Sequence, residues 1–121
     1  MANSCILTGG SGFIGRNLIA YLKDRSNPVH ALERIELQSA CPAHLTSFHT
    51  VVHLAGIAHD LKKGSTEDEY FQINYGLTKS LFDAFLLSDA KKFIFVSSVK
   101  AVADDVSGIL TEEQVPLPET A

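Results

Sequence analysis

The stretch "CILTGGSGFIGRNLIAYL" (5–22) constrains the fold more than any other part of the chain. An apolar run stops abruptly in glycines, and a helix-period pattern follows at once. Residues 4–8 read as a strand. Ile14, Leu18, Tyr21 and Leu22 recur at helical spacing, so residues 13–25 read as a helix with one buried face. "SNP" (26–28) ends that helix, because proline cannot continue the hydrogen-bond ladder. Between strand and helix, Gly9, Gly10, Gly12 and Gly15 satisfy both G-x-G-x-x-G and G-x-x-G-x-x-G. In such a turn the first glycine permits the tight bend. Gly12 lets backbone approach a pyrophosphate, and Gly15 brings the helix close to the sheet. The N–H groups of Phe13 and Ile14 then face phosphate at the helix N-terminus. No Gly-Lys-Ser/Thr follows, so this is not a P-loop.

"VHALE" (29–33) reads as a second strand. Glu33 lies 18 residues after Gly15. A dinucleotide site expects an acid there, about 20 residues on, to accept from a ribose 2′-OH. Such an acid repels a 2′-phosphate and so favours NAD. Arg34, directly after it, could pair with that phosphate, which keeps NADP open. Residues 34–49 are weakly patterned and predict a loop with one short helix after Pro42. "TVVHLAG" (50–56) reads as a buried strand ended by glycine, and "IAHDLKKGS" (57–65) as an exposed loop.

Residues 65–90 predict the longest helix. Thr66 and Glu69 carry a capping signature, and Tyr70, Ile73, Leu77, Leu81 and Phe85 follow 3/4 spacing. "KKFIFVSS" (91–98) reads as another buried strand, and the tail after Val102 has little period. Apolar strands alternating with helices predict an α/β fold: a Rossmann-type, doubly wound parallel sheet covered on both faces. With 121 residues, the chain is expected to be one domain, 1–121.

A net charge of −4 argues against a nucleic-acid or anionic-membrane surface. Lysines pair only as Lys62-Lys63 and Lys91-Lys92. Two cysteines, Cys5 and Cys41, are too few for a disulfide framework, and Cys5 reads as a small buried residue. "MANSC" carries no signal-peptide pattern, and no run approaches the ~18 apolar residues of a membrane span. These features predict a cytoplasmic protein. His44, His49, His53, His59 and Asp60 match no compact ligand spacing, so no metal site is expected.

Four segments now stand in order: "TGGSGFIGRNL" (8–18), "VVHLAG" (51–56), "INYGLT" (73–78) and "KKFIFVSSVKAV" (91–102). Together they resemble the NAD-dependent epimerase/dehydratase family, the extended short-chain dehydrogenase/reductases that act on nucleotide sugars. The bacterial surface-polysaccharide members are the most similar, and the resemblance covers about residues 4–120. It implies that Gly9, Gly12, Phe13, Ile14 and Gly15 hold the pyrophosphate. Leu54, Ala55 and Gly56 would pass beside the cofactor, and Asn74 would order the backbone around it. Ser97 and Ser98 end the fourth strand. Ser98 matches the family's catalytic Ser/Thr, whose hydroxyl bonds the reacting sugar oxygen. By the residues alone, Ser98 reads first as a strand-ending serine bonded to local backbone.

The chain departs from the family pattern twice. Only 17 residues separate Glu33 from Val51, too few for an ordinary helix and third strand. A four- or five-stranded sheet with a short or absent third strand is expected, and with it an altered adenine pocket. Secondly, the family's Tyr-x-x-x-Lys pair lies on the helix after the Ser98 strand, and this sequence closes with "PLPETA" at that place. The expectation is a cofactor-binding part that does not turn over alone and meets nucleotide sugar only with the rest of the family's fold. A non-catalytic dinucleotide sensor or structural module is the alternative. Tyr75 and Lys79 fit the same spacing, but on the helix before Ser98, where the family pattern is Asn-x-x-x-Thr (Asn74, Thr78). They read as coincidence. Self-association is expected through helix 65–90 and the face near Phe93–Val96.

Overall fold

The computed structural model describes residues 3–39, 41–56, 66–98, 102–103 and 107–116. The loop expected at 57–65, with His59, Asp60 and Lys62-Lys63, lies outside them.

Four strands form: β1 (Cys5–Thr8), β2 (Val29–Ala31), β3 (Thr50–His53) and β4 (Lys92–Phe95). They make one parallel sheet in the order β2-β1-β3-β4. From β1 the chain steps to β2 on one side, then returns to β3 on the other. The order therefore reverses between β1 and β3, the switch point where open α/β sheets leave a crevice. No strand forms among the described residues between β2 and β3. Among the described residues the third strand is absent, and β2 is the edge.

Alternation along the strands sends side chains to two separate cores. Cys5, Leu7 and Val52 pack with Leu18, Ile19 and Leu22 of α1 (Phe13–Asp24). Ile6 and Val51 face the other way, onto α2 (Arg34–Gln38), α3 (Pro42–Leu45) and α5 (Leu77–Leu86) through Leu37, Leu45, Leu81 and Ala84. Both faces are covered at the centre of the sheet. At β4 cover is thinner: Ile94, Phe95 and Val96 are exposed, so this strand is less buried than its sequence suggests.

Local chemistry explains several differences from the expected elements. α1 stops at Asp24, and Arg25, Ser26 and Asn27 return their N–H groups to the Leu22 and Lys23 carbonyls. Tyr21 points outward beneath the Arg25 guanidinium, 3.7 Å from its ring centroid, and Ile19 takes the core position instead. β2 ends at Ala31, because Glu33 caps α2 in a capping box with Glu36. The weakly patterned stretch thus holds two short helices, one of them starting at Pro42 as expected.

The long helix is a composite of α4 (Glu67–Phe71), a π-helical turn (Gln72–Gly76) and α5. Helical dihedrals run through both junctions, so the three are continuous. Its start is the predicted one: Thr66 Oγ1 accepts from the Glu69 N–H at 3.2 Å. Thr66→Ala is expected to cost about 1 kcal/mol, read as a lower urea midpoint. Ile73, Leu77 and Phe85 are partly buried and Leu81 fully, as the 3/4 spacing predicts. The side chain of Tyr70 lies outside the described residues.

Candidate functional site

The glycine turn sits at the carboxyl end of β1. Gly9 has φ +74, a region that L side chains rarely adopt, and a Cβ there would meet Ala55 N at 2.8 Å and Leu54 C at 2.9 Å. The turn is therefore pressed directly against the segment following β3. At Gly15 a Cβ would lie 2.1 Å from Gly9 O and 2.8 Å from Gly10 Cα. Gly15 thus seats α1 on the turn itself rather than on the sheet.

Gly12 is different. A Cβ there would meet only Gly9 O, at 3.4 Å, so this backbone faces open space. Gly12 is the N-cap of α1, with no side-chain cap and no acid in the first turn. The N–H groups of Phe13, Ile14 and Gly15 precede the first intrahelical bond, which Arg16 N–H makes to Gly12 O at 3.0 Å. Phe13 and Ile14 are exposed. An open backbone cradle at the positive end of a twelve-residue helix suits an anion.

A buried polar chain fixes the wall beside this cradle. Thr8 and His53 are Cα partners in the β1–β3 register and share one face of the sheet. Thr8 Oγ1 accepts from the Leu54 and Ala55 N–H groups, at 3.1 and 3.0 Å, and lies 2.6 Å from His53 Nδ1. On the far side of the ring, His53 Nε2 lies 2.7 Å from Thr78 Oγ1, which donates to Asn74 O at 2.6 Å. Asn74 belongs to the π-helical turn, and its Oδ1 lies 3.1 Å from where a Cβ on Gly56 would sit. So Gly9, Leu54, Ala55, Gly56 and Asn74 come together as one wall. Thr8, His53 and Thr78 were not singled out as site residues by the sequence reading. The available signal was a histidine inside an apolar strand, which must find hydrogen-bond partners.

Burial lowers the His53 pKa from its ordinary 6.5. The ring faces the Thr8 and Thr78 hydroxyls and the rings of Phe93 and Phe95. The unfolded chain binds this proton more readily than the folded one. This contribution to stability is present above the ordinary value and is lost as pH falls through it toward the lowered value. Urea midpoints are expected to drop as pH falls below the ordinary histidine value, and to drop less in His53→Gln.

The other candidates divide. Glu33 and Arg34 follow β2 on the same rim as the glycine turn, but Glu33 is engaged in the α2 cap, where its N–H donates to Glu36 Oε2 at 2.7 Å. Ser97 and Ser98 are exposed just beyond the carboxyl end of β4. Tyr75 is half-exposed and stacks on Phe71, and Lys79 is held by Asp83 at 2.6 Å, which raises its pKa. Among the described residues, no three His, Cys, Asp or Glu side chains cluster as metal ligands. An apolar trough of about 600 Å³ opens on the α1 side of the sheet, between Ile14, Leu18, Val52, Leu54, Ile94 and Val96. Its one ionisable group is the Cys5 thiol, whose pKa burial raises, and it shares Ile14 and Leu54 with the cradle and its wall.

The model of the NAD-dependent epimerase/dehydratase family matches residues 5–121. The chain belongs to the NAD-dependent epimerase/dehydratase family. A 3 beta-hydroxysteroid dehydrogenase/Delta 5→4-isomerase of Mycobacterium tuberculosis is 29% identical over 80% of the chain and 32% of its own length. A UDP-glucose 4-epimerase of Vibrio cholerae is 30% identical over 83% of the chain and 36% of its own length. The solved UDP-glucuronic acid 4-epimerase of Bacillus cereus, in complex with NAD, superposes with a TM-score of 0.77 at 22% identity. That match covers 97% of this chain and 46% of the other, and it shows the same fold. This epimerase/dehydratase chain spans about a third of the length of the curated relatives it matches. No helix of its described residues is long and apolar enough to cross a membrane.

Proposed function

We propose that residues 1–121 form the dinucleotide-binding unit of an NAD(P)-dependent nucleotide-sugar epimerase, dehydratase or 4-keto reductase. One observation carries this reading: the open backbone cradle at Gly12, at the switch point between β1 and β3. Gly9, Gly12, Phe13, Ile14 and Gly15 hold the pyrophosphate, with Leu54, Ala55, Gly56 and Asn74 as the adjoining wall. Glu33 takes the adenosine ribose, Arg34 allows a 2′-phosphate, and Ser97 lines the nicotinamide end. Ser98 meets the hydroxyl or ketone of the substrate. The nicotinamide supplies hydride transfer when bound.

The Vibrio cholerae relative is a UDP-glucose epimerase, which supports a nucleotide sugar as the substrate class. The steroid dehydrogenase relatives favour a second reading, in which the same cradle serves a sterol alcohol. Surface-polysaccharide synthesis in the cytoplasm is the setting we propose, and two free cysteines suit a reducing compartment. By itself this chain is proposed to bind cofactor without turnover: Tyr75, half-exposed, stacks on Phe71, and Lys79 is ion-paired with Asp83. A sensing or structural role remains the non-catalytic alternative.

Isothermal titration with NAD, NADH and NADP tests the reading. Saturable binding of NAD, tighter than NADP, is expected, and no heat with any of the three overturns it. Exposed Phe82, Leu86 and Leu87 on and after α5, with Ile94 and Phe95 on β4, further support self-association. Sedimentation is expected to show mass rising with concentration, and a monomer throughout counts against it.

A further inference from the structure

The hydroxyl–imidazole chain at His53 has only one consistent direction. Thr8 Oγ1 has two lone pairs, and the Leu54 and Ala55 N–H groups occupy both. Its own proton must therefore point to His53 Nδ1, which makes Nδ1 an acceptor. The other end gives the same answer independently. Asn74 O can only accept, so the Thr78 hydroxyl spends its one proton there. Towards the ring, Thr78 Oγ1 can only accept, and Nε2 must donate. Both ends specify neutral imidazole protonated at Nε2.

The chain runs from the segment after β3, through β1 and the ring, into the π-helical turn. Its two ends are the two parts of the wall beside the glycine turn. We infer that His53 is a positioning residue, a one-way hydrogen-bond latch that holds the 54–56 segment and the Asn74 turn in register for dinucleotide binding. The inference rests on the reading of the cradle as a dinucleotide site. Its physical basis is that Thr8 Oγ1 has both lone pairs occupied and Thr78 has its one proton committed to Asn74 O. The ring cannot flip or reverse tautomer without leaving a buried polar group unpaired.

Protonation at Nδ1 would set two donors against each other at Thr8 and release the latch. Burial of His53, 1% exposed, opposes that step. The groups facing the ring are Thr8 from β1, Phe93 and Phe95 from β4, and Thr78 from α5, none of them charged. The ionisable side chains nearest Thr78 on its helix, Tyr75 and Lys79, are exposed, and Lys79 is paired with Asp83.

The test uses the whole chain with ¹⁵N-labelled histidine, free of ligand, and the variants Thr78→Val and Thr78→Ser. In the native protein at neutral pH, one histidine is expected to show an unprotonated Nδ1 coupled to no proton and a protonated Nε2. His53→Gln, which lacks the ring, assigns it. Thr78→Val takes away the acceptor and leaves the Thr8 end formally intact. It is expected to speed amide exchange at Leu54 and Ala55 and to weaken NAD binding about tenfold. Thr78→Ser, which keeps the hydroxyl, is expected to restore both. An Nδ1–H tautomer overturns the inference, as does unchanged exchange and NAD affinity in a folded Thr78→Val. If the native chain takes no NAD, the dinucleotide reading falls instead. The tautomer and the Leu54 and Ala55 exchange rates then still decide whether the latch exists.

Discussion

Gly15→Ala is expected to abolish NAD binding and to lower stability by about 1–3 kcal/mol. The added methyl would sit 2.1 Å from Gly9 O, a backbone atom that no side-chain rotation can move. Relief requires the glycine turn to shift away from α1, which dismantles the cradle. Alanine is the better helix former by about 1 kcal/mol, and this offsets only part of the clash. Gly12→Ala separates binding from folding. Its methyl meets only Gly9 O, at 3.4 Å, and φ at Gly12 is −74, which alanine readily adopts. Stability is expected to change by less than about 1 kcal/mol, while NAD binding falls because the methyl stands where phosphate must approach. Urea unfolding and titration calorimetry on both variants check this. A Gly12→Ala protein that binds NAD as tightly as the native chain would move the phosphate elsewhere.

The second large effect is structural. Leu81→Ala is expected to cost about 2–5 kcal/mol, because the side chain is fully buried where α5 meets the sheet, in one cluster with Ile6, Leu45 and Val51. Against a total of about 5–15 kcal/mol, that is a large share. It should lower the Tm by roughly 10–20 °C in a domain of this size. Leu87→Ala is the control. This leucine caps the same helix but is 78% exposed, and its removal is expected to stay within about 0.5 kcal/mol. A similar Tm loss in both variants would contradict the packing described.

Much of the site is legible in the sequence because glycine spacing acts through near neighbours. The bend at Gly9, the close approach at Gly15 and the open N-terminus of α1 all arise within seven residues of chain. The missing third strand is equally legible, since 17 residues cannot span a helix and a strand. Glu33 shows what local reading leaves out. Its distance from the glycines marks a candidate ribose acid, and Glu36, three residues on, also engages it in the α2 cap. Tyr21 fits the helical period yet turns outward to Arg25. The π-helical turn is invisible because the apolar spacing around it still reads as one ordinary helix.

Sequence alone determined the alternation of strands and helices, the seat of the glycine turn and the family. These depend on backbone propensity and on periods of two and 3.6, which short stretches carry by themselves. Tertiary structure decided the rest. Thr8, His53 and Thr78 become partners only when β1 and β3 lie in parallel register and α5 crosses their face. Those residues stand 45 and 25 positions apart in the chain. No local pattern encodes such a pairing, because its energy comes from satisfying buried polar groups that the sheet itself has removed from water.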